Sequence, residues 1–148
     1  MAAAVILVVD DDANIRLNVR YALEAAGYIV CEASNGAEAM QRIMHDAPDL
    51  MLLDLAMPAM DGMKVLAQMR SLWDQYPTRV IVASAHGTMK TAVQAMQLGA
   101  SDFLEKPFTP EDLRLSIAAV LQERDAHRER EQSNIVRNDP PPNSPGVP

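Results

Sequence analysis

The sequence predicts an α/β fold in which five parallel strands alternate with five helices. Short apolar runs, bounded by turn residues, recur along the chain and indicate strands that are buried on both faces. Segments with apolar residues at helical spacing separate these runs. Alternating strands and helices are typical of right-handed βαβ units, which form a parallel sheet with helices on both faces.

The first elements follow directly from the amino terminus. Residues 5–9 are an uninterrupted run of Val, Ile and Leu, which favours a buried strand. The helix after them ends before Gly27, a residue suited to the position just past a helix C-terminus. Residues 28–33 are the second strand. Asn35-Gly36 is predicted to be a turn that leads into the second helix.

The same alternation continues in the second half of the chain. The apolar run 50–53 is the third strand, and the helix that follows it ends near Trp73. Residues 79–84 are the fourth strand, and Gly99 ends the next helix. Residues 101–105 form a short fifth strand.

The fifth helix begins with strong signals. Thr109 is predicted to be its N-cap, Pro110 occupies the first helical position, and the buried stripe stops at Leu121. We therefore assign residues 4–123 to one domain and residues 124–148 to a charged helical extension with a proline-rich disordered tail or linker. The extension lacks the repeating apolar positions of a coiled coil, and the tail has almost no core residues.

The length, net charge and cysteine content of the chain exclude several classes of function. The chain has 148 residues, enough for one domain with a core, and its formal net charge of −7 argues against a nucleic-acid surface. Cys31 is the only cysteine, which excludes an intrachain disulfide and fits a reducing compartment. The chain has no signal-peptide pattern and no apolar run of membrane-spanning length. We expect a soluble cytoplasmic protein without nucleic-acid or membrane partners.

Polar residues stand at the ends of the predicted strands. In a parallel sheet these ends share one edge, and ligands bind there in open α/β folds. The side chains concerned are expected to meet in one pocket. They are, in chain order, Asp10, Asp11, Asp54, Ser84 and Lys106.

The three aspartates predict a site for a hard divalent cation. Two like charges about 4 Å apart repel by about 1 kcal/mol in water and about 4 kcal/mol at a partly shielded site. Mg²⁺ would neutralise such a cluster with carboxylates, a carbonyl and waters as ligands. The Lys106 ammonium and the Ser84 hydroxyl suit a phosphoryl group attached to a carboxylate, with Asp54 as the nucleophile.

The motifs at these strand ends resemble those of the receiver domains of bacterial response regulators, over roughly residues 4–123. Each motif alone is weak, but together and in this order they are highly specific. The matching segments are Leu7–Asp12, Leu53–Gly62, Val82–Ala85 and Asp102–Phe108.

The resemblance implies a fold and a chemistry. The fold would be flavodoxin-like and doubly wound, with strand order 2-1-3-4-5. Asp54 would take a phosphoryl group from a sensor histidine kinase or a phosphotransfer protein. Asp11 and Asp54 would bind Mg²⁺ together with the backbone carbonyl of Ala56, and Asp10 would help through water.

The resemblance also implies a switch. Ser84 and Lys106 would contact the phosphoryl oxygens, Ser84 would be drawn toward them, and Phe103 would rotate into the space vacated. The face made by the fourth helix, fifth strand and fifth helix would then bind an output partner or a second copy. The family usually has Thr at the Ser84 position and more often Tyr at Phe103, but the hydroxyl and the ring are kept. We also predict a cis Lys106–Pro107 bond, since the turn must aim the ammonium at Asp54.

Other functions fit the residues less well. A hydrolase of the haloacid-dehalogenase type also uses an Asp nucleophile and Mg²⁺, but it needs an acid/base Asp where this chain has Ala56. A purely structural receiver is disfavoured because all five polar site residues are present. A dinucleotide-binding domain is excluded, since no G-x-G-x-x-G follows the first strand. We therefore predict a phosphorylation-controlled binding module, not an enzyme except for its own phosphotransfer and autodephosphorylation.

Overall fold

The structure of the protein is a computed structural model that describes residues 3–56, 62–85 and 88–138. The motif residues 57–61 and the predicted proline-rich tail beyond residue 138 lie outside these ranges.

Five strands form one sheet, and every pairing between neighbours is parallel. Their order is β2-β1-β3-β4-β5. The predicted doubly wound, flavodoxin-like architecture is thereby confirmed. The strands are β1 (Val5–Val9), β2 (Ile29–Ala33), β3 (Leu50–Asp54), β4 (Arg79–Ser84) and β5 (Asp102–Glu105).

Five helices cover the two faces of the sheet. Core residues of α1 and α5 pack on one face, and those of α2, α3 and α4 pack on the other. Both faces of the central strands are therefore shielded from solvent, which explains why their sequences are continuously apolar. The helices are α1 (Ala13–Ala25), α2 (Gly36–Asp46), α3 (Gly62–Ser71), α4 (Met89–Gln97) and α5 (Pro110–Asn138).

Helix α2 begins earlier than the sequence suggested. Asn35 and Gly36 do not form a separate turn, because Asn35 is the N-cap and Gly36 is the first helical residue. The Asn35 side-chain oxygen accepts a hydrogen bond of 2.9 Å from the backbone N–H of Glu38. The prediction of a turn was wrong because asparagine favours both turns and N-caps, and only the residues that follow distinguish the two.

Helix α5 continues without a break past the predicted domain boundary at residue 123. Most side chains of residues 122–133 are exposed, but Arg124 is only 11% exposed. Its Nη1 atom lies 2.7 Å from Oδ1 of Asp49, at the start of β3. The extension is thus attached to the sheet by an ion pair that the sequence analysis did not anticipate. In the described ranges, no helix combines the length and the apolar character needed to span a bilayer.

Candidate functional site

Three aspartates converge at the carboxyl edge of the sheet. Val9 of β1 is paired with Leu53 of β3, so Asp10 and Asp54 follow at adjacent positions. One carboxylate oxygen from each of Asp10, Asp11 and Asp54 lies within 4.8 Å of the other two. Asp10 and Asp54 are 4% and 6% exposed, whereas Asp11 is exposed. The structure therefore brings together the three acidic residues that the sequence predicted to meet.

Hydrogen bonds to its backbone and to its carboxylate fix the position of Asp10. Its N–H donates to the carbonyl oxygen of Ala33 at 3.2 Å, and its Oδ1 accepts from the N–H of Asp12 at 3.0 Å. Arg16 donates from Nη1 to the Asp10 carbonyl oxygen at 2.6 Å and from Nε to Glu32 at 3.1 Å. Arg16 thereby ties the loop after β1 to strand β2. Sequence reasoning missed it, because an arginine on a helix gives no signal of its backbone partner.

Asp54 stands where β3 gives way to a loop, and backbone contacts fix it there. The N–H of Leu55 donates to the carbonyl oxygen of Ala83 at 3.1 Å. The N–H of Ala56 donates to Oδ1 of Asp54 at 3.2 Å, which orients the carboxylate.

Gly62, the first residue of α3, packs directly against the backbone of this strand end. A Cβ atom at Gly62 would lie 2.5 Å from the Asp54 carbonyl oxygen and 2.6 Å from the Leu55 Cα. Both are backbone atoms that cannot move aside, so the close approach requires glycine. In the sequence, only the place of Gly62 in the motif after Asp54 marks this residue.

Lys106 reaches the acidic cluster from the end of β5. Its backbone N–H donates to the carbonyl oxygen of Ser84 at 2.9 Å, and the Lys106–Pro107 bond is cis, as predicted. Its Nζ lies 2.7 Å from Oδ2 of Asp10 and 3.7 Å from Oδ2 of Asp54. The ammonium thus stands between the two buried carboxylates.

The surroundings of Asp54 act on its pKa in both directions, with a net upward shift. Burial raises the pKa of Asp54 above the usual range of an aspartate, because the ionised carboxylate loses water. The hydrogen bond from Ala56 and the charge of Lys106 lower this pKa, while the carboxylates of Asp10 and Asp11 raise it. A further positive charge at this site would favour the ionised form.

The two residues predicted to form a switch lie on neighbouring strands. Ser84 ends β4 and is buried beside the carboxyl edge. Phe103 of β5 is paired with Val82 and is half-buried. Its ring packs against the core cluster that includes Ala95 of α4. Val82 of β4 belongs to the same cluster, so β4, Phe103 and α4 share one core.

The donor set of this cluster fits a hard divalent cation. Carboxylate oxygens are the ligands that Mg²⁺ prefers, and the exposed position of Asp11 leaves room for the waters that Mg²⁺ retains. The N–H of Ala56 contacts Asp54, so the exposed Ala56 backbone lies at the rim of the same cluster.

Comparison with known proteins identifies one family. Residues 6–118 match the family model described as the response regulator receiver domain. The receiver domain of a putative LuxO repressor protein from Vibrio parahaemolyticus is 32% identical. It superposes with a TM-score of 0.82 over 88% of this chain and 98% of that chain.

Two curated relatives extend beyond the matched region. Response regulator MprA of Mycobacterium leprae is 39% identical over 117 residues, which cover 79% of this chain and 50% of MprA. The alginate biosynthesis transcriptional regulatory protein AlgB of Pseudomonas putida is 43% identical over 120 residues, which cover 80% of this chain and 26% of AlgB. The match thus spans half or less of the length of these relatives.

Proposed function

This chain belongs to the response regulator receiver domain family of two-component signalling, and on that premise we propose that Asp54 accepts a phosphoryl group from a sensor histidine kinase or a phosphotransfer protein. One observation carries the proposal. Asp54 is a buried carboxylate at the end of a strand, 3.7 Å from the Lys106 ammonium and within reach of the carboxylates of Asp10 and Asp11. Nucleophile, cation and acidic cluster together are what phosphoryl transfer to a carboxylate requires.

The residues of this chain have separable roles in the transfer. A carboxylate oxygen of Asp54 attacks the phosphorus of the phosphohistidine, the P–N bond breaks, and the imidazole leaves with a proton from solvent. The N–H of Ala56 holds Oδ1 of Asp54 and so limits rotation of the nucleophile. Lys106 offsets negative charge on the phosphoryl oxygens, and Ser84 donates its hydroxyl to one of them.

We assign the metal site to Asp11, Asp54 and the backbone carbonyl of Ala56, with Asp10 acting through water. Mg²⁺ held there would supply positive charge to the carboxylate cluster and to the transferring phosphoryl group. Asp10 has a second role, because its short ion pair with Lys106 holds the ammonium at the site.

The phosphorylated site is proposed to act on a distant surface. Ser84 moves toward the phosphoryl group, and Phe103 follows into the space vacated. The surface made by α4, β5 and α5 then changes its affinity for an output partner or a second copy. Exposed apolar side chains support this choice of surface, including Met89, Val93 and Leu115.

The test is phosphorylation by acetyl phosphate with Mg²⁺, followed by intact mass. One phosphoryl group is expected on the wild-type chain and none on Asp54→Asn. Asp74→Asn, which changes an exposed aspartate, serves as the matched control and is expected to be labelled. Full labelling of Asp54→Asn would refute the assignment of Asp54.

An assay of phosphatase turnover on the same protein distinguishes a receiver from a hydrolase. Turnover by a haloacid-dehalogenase mechanism needs an acid/base group two residues after the nucleophile, and Ala56 has none. We expect no sustained hydrolysis of p-nitrophenyl phosphate, only slow loss of the single label. Multiple turnover that depends on Asp54 would favour the hydrolase.

A further inference from the structure

A second pocket lies at the edge of the sheet opposite Asp54. It is a cavity of about 260 Å³ between the end of α3, the start of β4 and the turn after α4. The lining residues with polar groups include Arg70, Trp73 and Arg79. Its apolar walls include Leu66, Val80 and Leu98.

Neither arginine of this pocket is paired with a carboxylate in the ranges that the structure describes. The Nε atom of Arg79 is buried and has no hydrogen-bond partner among those residues. The guanidinium carbon of Arg79 lies 5.0 Å from the centre of the Trp73 ring. Arg70 donates from Nη1 to the carbonyl oxygen of Gln97 at 2.6 Å.

Four other arginines have carboxylate partners, whereas Arg114, Arg128 and Arg130 have none among the described residues but are exposed to solvent. Arg16, Arg20, Arg42 and Arg124 each have a carboxylate within 3.2 Å. The chain as a whole has an excess of acidic groups, with a formal net charge of −7. The guanidinium groups of Arg70 and Arg79 therefore line the pocket without a carboxylate to neutralise them, and an anion entering the pocket would supply that partner.

We propose that this pocket binds the carboxylate of a small ligand with an apolar body. A guanidinium group presents a planar fork of donors that matches a carboxylate. The walls formed by Leu66, Val80 and Leu98 suit a hydrocarbon group rather than a hydrated ion. The volume is below the range typical of drug-sized ligands, so the ligand is about the size of one aromatic ring with its acid group.

Trp73 provides a direct readout, because it is the only tryptophan of the chain. We would titrate the full chain with sodium benzoate at constant ionic strength and follow Trp73 emission. Benzoate is expected to give a saturable change. Benzyl alcohol, which has nearly the same shape but no charge, is expected to bind about tenfold more weakly or worse, because charge-assisted hydrogen bonds are the stronger ones.

Substitutions at the two arginines test whether each guanidinium group contributes to benzoate binding. Arg79→Gln and Arg70→Gln are each expected to weaken benzoate binding about tenfold. Arg114→Gln, at an exposed position on α5 outside the pocket lining, is the matched control and is expected to bind as the wild type does. Arg79→Gln also changes the surroundings of Trp73, so methyl NMR shifts of Val80 and Leu98 supply an independent measure of binding.

Three results would overturn the proposal. Equal binding of benzoate and benzyl alcohol would show that the pocket selects no charge. Unchanged benzoate binding in Arg79→Gln would assign that arginine to packing on Trp73 alone. Displacement of benzoate by an equal concentration of inorganic phosphate would show a site for oxyanions without an apolar body.

Discussion

The ammonium nitrogen of Lys106 lies 2.7 Å from Oδ2 of Asp10, about 1 Å closer than it lies to Asp54. Both side chains of the shorter pair are largely buried, so solvent screens their attraction only weakly. Lys106 therefore neutralises part of the acidic cluster. We therefore expect Lys106 to compete with a divalent cation for these carboxylates.

Removal of this ammonium should make the cluster depend more on metal. Lys106→Met keeps most of the apolar chain but leaves the three aspartates without their cation. The metal-free variant is expected to lose on the order of 2 kcal/mol of stability, because buried charges lose a partner. The stabilisation by Mg²⁺ should become larger than in the wild type. Thermal melts in EDTA and in excess Mg²⁺ measure both effects, and an unchanged Mg²⁺ shift would contradict the competition.

Asp11→Asn should change stability in the direction opposite to Lys106→Met, both without metal and in the gain from Mg²⁺. The substitution removes one negative charge, so the metal-free protein should gain roughly 1 kcal/mol. Mg²⁺ that binds only the folded state stabilises by RT ln(1 + [L]/Kd), about 2.7 kcal/mol at a hundred times Kd. This gain should shrink in Asp11→Asn and persist in the control Asp74→Asn. If both variants kept the full gain, Asp11 would not be a metal ligand.

Gly62→Ala should damage the site as well as the fold. Its Cβ would overlap the backbone of Asp54 and Leu55, and relief of that overlap must move the strand end. We expect a loss of roughly 1–3 kcal/mol and slower labelling by acetyl phosphate. Gly27→Ala is the control, since φ there is +95° but nothing lies within 4 Å of an added Cβ. It should cost roughly 1–2 kcal/mol and leave labelling unchanged, and equal labelling in both variants would contradict the role of Gly62.

The fold and the polar cluster were predictable because both depend on local sequence. The runs 5–9 and 50–53 are apolar at every position, which is typical of strands covered on both faces. Parallel strands place their carboxyl ends at one edge, so Asp10 and Asp54 were expected to share it, and the pairing of β1 with β3 makes them neighbours. Lys106 followed from the same rule applied to β5.

Contacts between distant elements were not predictable. Asp49 and Arg124 are 75 residues apart, and nothing in either neighbourhood marks the pair. The hydrogen bond from Arg16 to the Asp10 carbonyl depends on how α1 sits on the sheet. The need for glycine at position 62 depends on the approach of α3 to β3. Each of these contacts is set by packing geometry, which a periodicity of apolar residues does not specify.

The proposed switch predicts where the backbone should respond to phosphorylation. Ser84 and Phe103 lie on neighbouring strands, and Phe103 packs against the core that includes Ala95 of α4. Amide exchange with and without beryllofluoride should therefore differ within residues 85–108 and remain equal in α2. The same experiment on Phe103→Ala should lose much of the change in α4, because the ring that transmits it is gone. A uniform response over the whole chain would indicate global stabilisation by ligand rather than a switch.

The ion pair between Asp49 and Arg124 predicts that the extension of α5 is held by one residue. Asp49 also accepts a hydrogen bond of 2.7 Å from the N–H of Val5, so it links α5 to the first strand as well as the third. Apart from Arg124, residues 122–133 are mostly exposed, so the loss of Arg124 removes the main contact between this segment and the sheet.

Arg124→Ala should therefore raise amide exchange in residues 125–138 and cost roughly 1 kcal/mol of global stability. Arg128→Ala is the matched control, because Arg128 is exposed on the same helix one turn later. It removes one like charge four residues from Arg124 and should leave exchange unchanged or slightly reduced. Equal exchange in the two variants would mean that helix propensity, and not the contact with Asp49, orders the extension.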